Sequence, residues 1–206
     1  MNEKEFKSRN LALFDFDNTI SYHDHFTRFL FYQTSKFRIF LGAFFLSPIY
    51  LIFRLRLIKP TIMRRFAVFV AFCGVSEEEL RKRGLQYSRM KLESDLRPEA
   101  IRRIQMHKAQ GDKVVVVSAS LRLYLEDWCL REGLDLLCSD LAFQNERATG
   151  LYQGNDCSGQ EKSRRVSKSY NLEDFSSIYG YGDSDDDLPM LALADKVIYR
   201  WREKAI

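Results

Sequence analysis

Acidic residues are missing from one long segment of the sequence. No Asp or Glu occurs in residues 25–76, although the 206-residue chain has 28 acidic and 32 basic residues. Eleven of the sixteen phenylalanines also lie in this segment. A basic, aromatic segment without acids favours an anionic partner, such as a phosphate ester, an anionic lipid surface or nucleic acid. Its basic residues are Arg28, Lys36, Arg38, Arg54, Arg56, Lys59, Arg64 and Arg65.

Cysteine is also scarce. The four cysteines are scattered and form no CxxC pair, at positions Cys73, Cys129, Cys138 and Cys157. This spacing argues against a disulfide framework and against a zinc site, and it favours free thiols in a reducing cytosol. The first ten residues, MNEKEFKSRN, are polar and of mixed charge, which excludes a signal peptide there. We therefore predict a cytoplasmic protein.

Long hydrophobic runs are few. Residues 39–53 form a stretch of fifteen uncharged residues, interrupted by Gly42 and Pro48. A helix needs about 20 apolar residues to cross a bilayer, so this stretch is too short for a span. The apolar run over residues 66–75 is shorter still. The sequence therefore predicts no transmembrane helix.

Strands and helices alternate through most of the chain. LALFD (residues 11–15), KVVVVSAS (113–120) and SSIYGYGDS (176–184) have the length and apolar character of buried strands. RPEAIRRIQMHKAQG is an amphipathic helix before the second of them, and a hairpin with its turn at residues 148–150 follows the next strand. KVIYR (196–200) is predicted as the final strand.

This alternation predicts an α/β fold with a Rossmann-like, doubly wound parallel sheet. Strand signals are absent from residues 21–95, where the sequence is helical, aromatic and basic. We therefore predict a catalytic core formed by residues 1–20 and 96–206, with a helical cap inserted between its first strand and the rest. Trp128 and Trp201 are assigned to packing, and His107 is assigned to the surface of its helix.

Polar groups follow the predicted strands. Because parallel strands end at one edge of a sheet, we expect DFDNT, SAS and GDSDDD to converge there, with Lys162 from the connecting SGQEK. Converging carboxylates need a cation, and an all-oxygen ligand set favours Mg²⁺. A serine hydroxyl, backbone N–H groups and a lysine can hold a phosphate against those carboxylates.

These motifs, in this order, resemble the haloacid dehalogenase superfamily of phosphohydrolases. DFDNT resembles its first motif, SAS its second, SGQEK its lysine motif and GDSDDDLPML its final acidic motif. The position of the insertion is similar to that in the phosphoserine phosphatase subgroup. Within this subgroup the chain looks most like small bacterial phosphatidylglycerophosphate phosphatases.

The resemblance implies a role for each motif residue. Asp15 would attack phosphorus and become an aspartyl-phosphate, and Asp17 would act as general acid and then as general base. Ser118, the backbone at Ala119, and Lys162 would bind the phosphoryl oxygens. The implied Mg²⁺ ligands are Asp15, the backbone carbonyl of Asp17 and Asp183. Asp187 would be a further ligand through water or else a partner for Lys162.

Two features bear on the substrate. Asp186 stands where phosphoserine phosphatases have an asparagine beside the phosphate, so we expect its carboxylate to turn away and strict phosphoserine specificity to be relaxed. His23 and Asp24 lie where the subgroup begins its cap, and they are candidates for substrate contact. The alternative is that these two residues form only the N-terminal cluster of a helix.

Several functions remain open on this basis. The first is a Mg²⁺-dependent phosphomonoesterase that acts on a small phosphorylated metabolite or on a phospholipid head-group phosphate, and a strict phosphoserine phosphatase is a variant of it. Alternatives from other classes are a phospho-acceptor signalling module and a catalytically inactive membrane adaptor. The order of the motifs argues against the signalling module, and the complete acidic set argues against the inactive adaptor. Nucleic acid is disfavoured because the aromatic residues lie within apolar runs.

The apolar stretch within residues 38–60 then has two interpretations. It forms the core of a cap over the phosphate pocket, which we favour, or its apolar face docks peripherally on an anionic membrane. In the second case Arg54, Arg56 and Lys59 would meet the lipid head groups. A true crossing would separate Asp15 from the later motifs.

Overall fold

The computed structural model describes residues 9–54 and 60–204. Its strands are β1 (Leu11–Phe14), β2 (Lys113–Leu121), β3 (Asp135–Ser139), β4 (Leu141–Gln144), β5 (Arg147–Tyr152), β6 (Ile178–Gly182), β7 (Lys196–Tyr199) and β8 (Arg202–Lys204). Its α-helices are α1 (His25–Gln33), α2 (Lys36–Arg54), α3 (Pro60–Phe72), α4 (Glu77–Tyr87), α5 (Pro98–Ala109), α6 (Arg122–Glu132), α7 (Gln160–Ser169) and α8 (Leu188–Leu191). Short helical turns cover Phe16–Ile20, Ser88–Leu92, Glu93–Asp95, Leu172–Asp174 and Asp185–Asp187.

A six-stranded sheet forms the centre of the molecule, in the order β3-β2-β1-β6-β7-β8. Neighbouring strands are parallel except for β8, which is antiparallel to β7. Strands β4 and β5 form a separate antiparallel hairpin. The prediction of an α/β fold with a mainly parallel, Rossmann-like sheet is confirmed.

The sheet is covered on both faces. Successive side chains of β1 point to opposite faces, so Ala12 and Phe14 enter one apolar cluster, while Leu11 and Leu13 enter a second. All four are fully buried. A strand with apolar residues on both faces must lie between two layers, and this explains why the short LALF segment occupies the middle of the sheet.

Helices account for the regular structure of the described residues between Ile20 and Pro98. Their buried side chains, among them Phe29, Phe72 and Tyr87, belong to the same apolar cluster as Phe14 on the sheet. The predicted domain boundaries at residues 20 and 95 stay predictions, and residues 1–8 and 205–206 lie outside the described residues.

Helices α2 and α3 pack closely against each other. A Cβ atom at Gly42 would lie 2.7 Å from Cγ1 of Val70, so only glycine permits this approach without a shift. The guanidinium of Arg38 donates hydrogen bonds to the carbonyls of Ala71 at 3.2 Å and Cys73 at 3.0 Å, at the C-terminal end of α3. These bonds satisfy carbonyl groups that a helix end leaves without partners.

The other side of α2 is open. Phe37, Phe40 and Phe44 lie at helical spacing and are about 70% exposed. Among the described helices, none combines the length and apolar character needed to cross a bilayer. Arg56 and Lys59 lie outside the described residues, so the structure does not test their predicted role.

Three predictions differ from the structure: the position of a turn, the identity of the last strand and the exposure of His107. The hairpin turn lies at Asn145 and Glu146, both with positive φ, whereas residues 148–150 belong to β5. KVIYR is not the final strand, because residues of β8 pair back on β7. His107 is fully buried instead of exposed: its ring nitrogens contact Asp112 at 2.7 Å and the Tyr181 hydroxyl at 2.9 Å. Because Tyr181 is distant in the sequence, the helical pattern alone could not show the burial.

Candidate active site

A buried lysine joins two of the predicted motifs. Lys162 lies in the first turn of α7 and is only 2% exposed. Its Nζ donates hydrogen bonds to Oδ1 of Asp15, which follows β1, and to Oδ1 of Asp187 at 2.6 Å. Burial alone would lower the pKa of Lys162, but the two carboxylates outweigh it and raise the pKa. The ammonium therefore stays charged within the site.

Three carboxylates meet around this lysine. Single oxygen atoms of Asp15, Asp183 and Asp187 lie within 4.8 Å of one another. Burial raises the pKa of Asp15 well above its ordinary value, and the charge of Asp187 adds to this effect. Burial and the charge of Asp187 also raise the pKa of Asp183. One ammonium does not neutralise three carboxylates, so this all-oxygen set fits a hard divalent cation.

Asp187 is held firmly by its own loop. Its Oδ2 accepts hydrogen bonds of 3.0 Å from the backbone N–H groups of Asp183 and Ser184 and from the Ser184 hydroxyl. A Cβ atom at Gly182 would lie 2.7 Å from the Cβ atom of Asp187. The glycine at the end of β6 therefore allows this carboxylate to lie close to the strand. With both oxygens engaged, Asp187 suits a role as partner of Lys162 or as a metal ligand through water.

Asp17 points to a different part of the site. The chain leaves its extended form after β1, and Asn18 has a φ of 59°. The Asp17 carboxylate accepts hydrogen bonds from the backbone N–H of His25 at 2.8 Å and from the Ser120 hydroxyl. Tyr124 donates in turn to Ser120 Oγ at 2.7 Å. The two carboxylates therefore have different partners, although only one residue separates them in the sequence.

The environment of Asp17 favours a proton-carrying group. Burial raises the pKa of Asp17 to about 7, and the charge of Asp24 adds to the effect of burial. The hydrogen bond from Ser120 acts in the opposite direction. A carboxyl group with a pKa near neutrality can both give and take a proton at ordinary pH.

The second motif lies beside the first. Ser118 is buried at the end of β2, next to β1, and its Oγ accepts a hydrogen bond of 3.0 Å from the backbone N–H of Ser120. Ala119 is also buried between them. These two residues were predicted as phosphate ligands, whereas the hydrogen-bonded chain from Tyr124 through Ser120 to Asp17 was not foreseen. Only the repeated serine of SAS could have signalled it.

The two residues predicted as candidates for substrate contact, His23 and Asp24, are bound to other residues between Ile20 and Pro98. His23 Nδ1 lies 2.7 Å from Oδ1 of Asp95. The Asp24 carboxylate accepts hydrogen bonds from the backbone N–H of Thr27 at 3.1 Å and from its hydroxyl, so Asp24 is the N-cap of α1. Their predicted contact with substrate stays a prediction.

Asp186 has a partner that sequence reasoning missed. Its Oδ2 lies 3.5 Å from Nη2 of Arg64, which projects from α3. The positive charge of Arg64 also lowers the pKa of Asp17. An arginine from the acid-free segment thus reaches the acidic loop after β6. The only signal in the sequence was the excess of basic residues in that segment.

Comparison with known proteins agrees with this geometry. A family model described as haloacid dehalogenase-like hydrolase matches residues 12–192. Protein CicA of Caulobacter vibrioides is 30% identical over 200 residues, which cover 92% of this chain and 85% of that protein. A protein of unknown function from Bordetella pertussis has a similar structure, with a TM-score of 0.74, 21% identity, and coverage of 93% of this chain and 90% of that one.

A phosphoserine phosphatase solved as a phospho-aspartyl intermediate analogue also shares the fold, with a TM-score of 0.59 and 20% identity. The similarity covers 93% of this chain and 86% of that structure. The family model spans the strands and loops that bring together Asp15, Asp17, Ser118, Lys162, Asp183 and Asp187. The chain therefore belongs to the haloacid dehalogenase-like hydrolases.

Proposed function

We propose that the protein is a Mg²⁺-dependent phosphomonoesterase that acts through an aspartyl-phosphate intermediate. One observation carries this proposal: the buried Lys162 bridges Asp15 and Asp187, while Asp17 stands apart from them with a pKa of about 7. A nucleophile fixed beside a cation and a separate acid–base group are the two parts that this reaction needs. The phosphoserine phosphatase structure named above supports it by analogy.

Asp15 is the nucleophile in this proposal. Its Oδ1 is held by Lys162, and a carboxylate oxygen attacks the phosphorus in line with the leaving alcohol. Asp17 gives a proton to that alcohol as the ester P–O bond breaks. Asp17 then takes a proton from the water that attacks the acyl phosphate, which releases inorganic phosphate and restores both carboxyl groups.

Ser118, the backbone N–H of Ala119, and Lys162 bind the transferring phosphoryl group. Ser118 and Ala119 belong to β2, which pairs with β1 beside Asp15, and Lys162 contacts Asp15 directly, so their donors would surround the place where negative charge gathers. Asp15, the carbonyl of Asp17 and Asp183 would hold Mg²⁺, with Asp187 contributing through water. When bound, the ion would offset the charge of the phosphate and the carboxylates.

The test is hydrolysis of p-nitrophenyl phosphate by the purified protein. We expect Mg²⁺-dependent release of phosphate by the wild type and a loss of at least about 1,000-fold in kcat for Asp15→Asn, because the amide cannot attack phosphorus. Asp174→Asn, an exposed change far from the motifs, serves as control. A wild type that is inactive with Mg²⁺ would refute the proposal.

The substrate is a phosphate ester, and one observation favours a lipid surface as its location. Phe37, Phe40 and Phe44 form an exposed aromatic row on α2 within a segment that contains no acids. Aromatic side chains beside basic ones are typical of peripheral contact with anionic membranes. We therefore propose that α2 docks on such a membrane and that a phospholipid head-group phosphate is one substrate candidate. Strict phosphoserine specificity is the alternative.

Vesicle sedimentation tests this docking. Vesicles with anionic lipid should bind the wild type. Replacing Phe37, Phe40 and Phe44 with serine should reduce binding about tenfold or more, since the membrane would no longer bury three aromatic rings. Leu130→Ser is the matched control because Leu130 is also about 70% exposed but lies on α6. Equal binding by both variants, or by neutral and anionic vesicles, would contradict the docking.

A further inference from the structure

Beside the proposed active site, buried polar atoms have no partner. Among the described residues, Nη1 of Arg64, the hydroxyl of Tyr152 and Oδ2 of Asp156 are buried without a hydrogen bond. Tyr152 ends β5, and Asp156 lies in the loop before α7. Both residues are more than nine-tenths buried. Buried polar groups are costly without partners, so such a set at one place indicates a binding function.

Two of these atoms lie opposite each other. Nη1 of Arg64 is 4.0 Å from Oδ2 of Asp156, too far for a direct hydrogen bond. Each residue also has a second contact: Nη2 of Arg64 lies 3.5 Å from Oδ2 of Asp186, and Oδ1 of Asp156 accepts a hydrogen bond from the Ser158 hydroxyl at 3.0 Å. One donor and one acceptor are thus left, separated by a gap that a single oxygen atom can bridge.

The space between Nη1 of Arg64 and Oδ2 of Asp156, called the recess below, lies beside the acidic loop of the site, because Arg64 is also 3.5 Å from Asp186, the neighbour of Asp187. The charge of Arg64 acts on the carboxyl of Asp17, which is the proposed proton donor to the leaving alcohol. It also acts on Asp156 and on Tyr152. The ring of Phe26 lies 5.8 Å below the guanidinium and supports its position. A substrate with its phosphate at Asp15 and its ester oxygen near Asp17 therefore extends its alcohol portion toward Arg64 and Asp156.

We propose that Arg64 and Asp156, with Tyr152 beside them, bind a hydroxyl group on the alcohol portion of the phosphate ester. The hydroxyl accepts a hydrogen bond from Nη1 of Arg64 and donates one to Oδ2 of Asp156. This inference rests on the proposed phosphomonoesterase function, and it deepens that function by naming a feature of the leaving group.

Other chemical groups fit this recess less well. A second carboxylate or phosphate would be repelled by Asp156 and Asp186, and an ammonium has no lone pair to accept a hydrogen bond from Nη1 of Arg64. An apolar group would leave both polar atoms buried and unpaired, which is the situation that enzymes use to reject a substrate lacking a hydroxyl. A neutral group that donates and accepts at the same atom satisfies both sides.

Matched pairs of simple esters test the inference. The pairs are 2-hydroxyethyl and ethyl phosphate, 3-hydroxypropyl and propyl phosphate, and 4-hydroxybutyl and butyl phosphate. We expect the wild type to prefer the hydroxyl compound in at least one pair by about tenfold or more in kcat/KM. Asp156→Ala and Arg64→Met should reduce that ratio to about one, because the hydroxyl loses a partner.

Controls separate this role from a structural one. Glu173→Gln, an exposed change, should keep the wild-type ratio, and the conservative Tyr152→Phe should lower it by a few-fold, about the effect of one neutral hydrogen bond. A wild type without preference in any pair would overturn the inference, as would variants that lose activity equally on both members of a pair. Wild-type hydrolysis of p-nitrophenyl phosphate distinguishes these outcomes from failure of the proposed function itself.

Discussion

At the scale of single residues, the site separates two carboxylates that are only two positions apart. Asp15 faces Lys162, whereas Asp17 faces Ser120 and the start of α1. The turn after β1 makes this possible, and it gives the two groups different surroundings and different chemistry. The hydrogen bonds to Asp17 come from an early and a middle part of the chain, so its orientation depends on both.

The hydroxyl of Ser120 should matter most for substrates with poor leaving groups. In Ser120→Ala the Asp17 carboxylate loses a hydrogen bond that fixes its direction, so proton transfer to the leaving alcohol becomes less efficient. We expect kcat to fall about tenfold for alkyl phosphates and much less for p-nitrophenyl phosphate, whose leaving group needs little protonation. Ser120→Thr, which keeps the hydroxyl, should restore kcat on alkyl phosphates. Equal losses on both substrates would argue against this role.

The Asp183 carboxylate should lower the stability of the metal-free protein. Its pKa is raised by burial and by Asp187, so its ionised form costs stability at neutral pH, and stability should fall as pH rises through the raised pKa. We expect Asp183→Asn to have a higher Tm than the wild type in EDTA. Mg²⁺ should raise the Tm of the wild type but have little effect on the variant. Thermal unfolding at pH 7.5, with Asp174→Asn as control, checks both expectations.

At the scale of elements, helix contacts join the helical segment between Ile20 and Pro98 to the rest of the chain. Helix α4 meets the start of α6 at Gly84, where an added Cβ atom would lie 2.2 Å from the carbonyl oxygen of Leu123. On the opposite side of the segment, α2 and α3 meet at Gly42. Glycine within a helix is unfavourable by itself, so both positions are explained by close packing.

Gly84→Ala tests this explanation because two effects oppose each other. Helix propensity alone would make the variant about 1 kcal/mol more stable. The contact with the backbone of Leu123 should instead force α4 away from α6 and lower the free energy of unfolding by about 2 kcal/mol. Urea denaturation gives the sign directly. Gln86→Ala, on the exposed side of the same helix, should change stability by about 0.5 kcal/mol or less.

At the scale of the whole molecule, the helices of residues 25–95 and one face of the sheet share a single apolar cluster. Phe29 and Tyr87 from the insertion contact Tyr124 of α6, with ring centroids 4.8 Å and 5.5 Å apart. Trp128, also in α6, packs against Phe16, which directly follows Asp15, the proposed nucleophile. A lid that moved far from the core would have to break these contacts.

The shared cluster predicts that the chain unfolds in one step. Far-ultraviolet circular dichroism reports mainly on the helices, and fluorescence of Trp128, within the cluster, and of Trp201, packed against it, reports on the cluster. We expect the two signals to give the same urea midpoint and the same slope, as two-state unfolding requires. An early loss of helix signal, before the fluorescence changes, would show that residues 25–95 unfold separately.

The sequence was informative where one local pattern decides the structure. The apolar run of β1 and the valines of β2 predicted a buried parallel sheet, and the polar groups after them predicted where the site would form. Contacts between distant segments could not be predicted in this way. The burial of His107 depends on Tyr181, the direction of Asp17 depends on Ser120, and the partner of Asp186 is Arg64. Each of these requires the folded arrangement.

The position of β1 has a consequence for biosynthesis. Leu11 pairs with Lys113 on one side and with Ile178 on the other, so the central strand leaves the ribosome long before either neighbour. Until then Leu11, Leu13 and Phe14 have no sheet to join, and such late, non-local pairing slows folding and exposes apolar surface. The nascent chain therefore needs protection from aggregation, and the three carboxylates of the candidate site cannot meet until Asp187 has been synthesised.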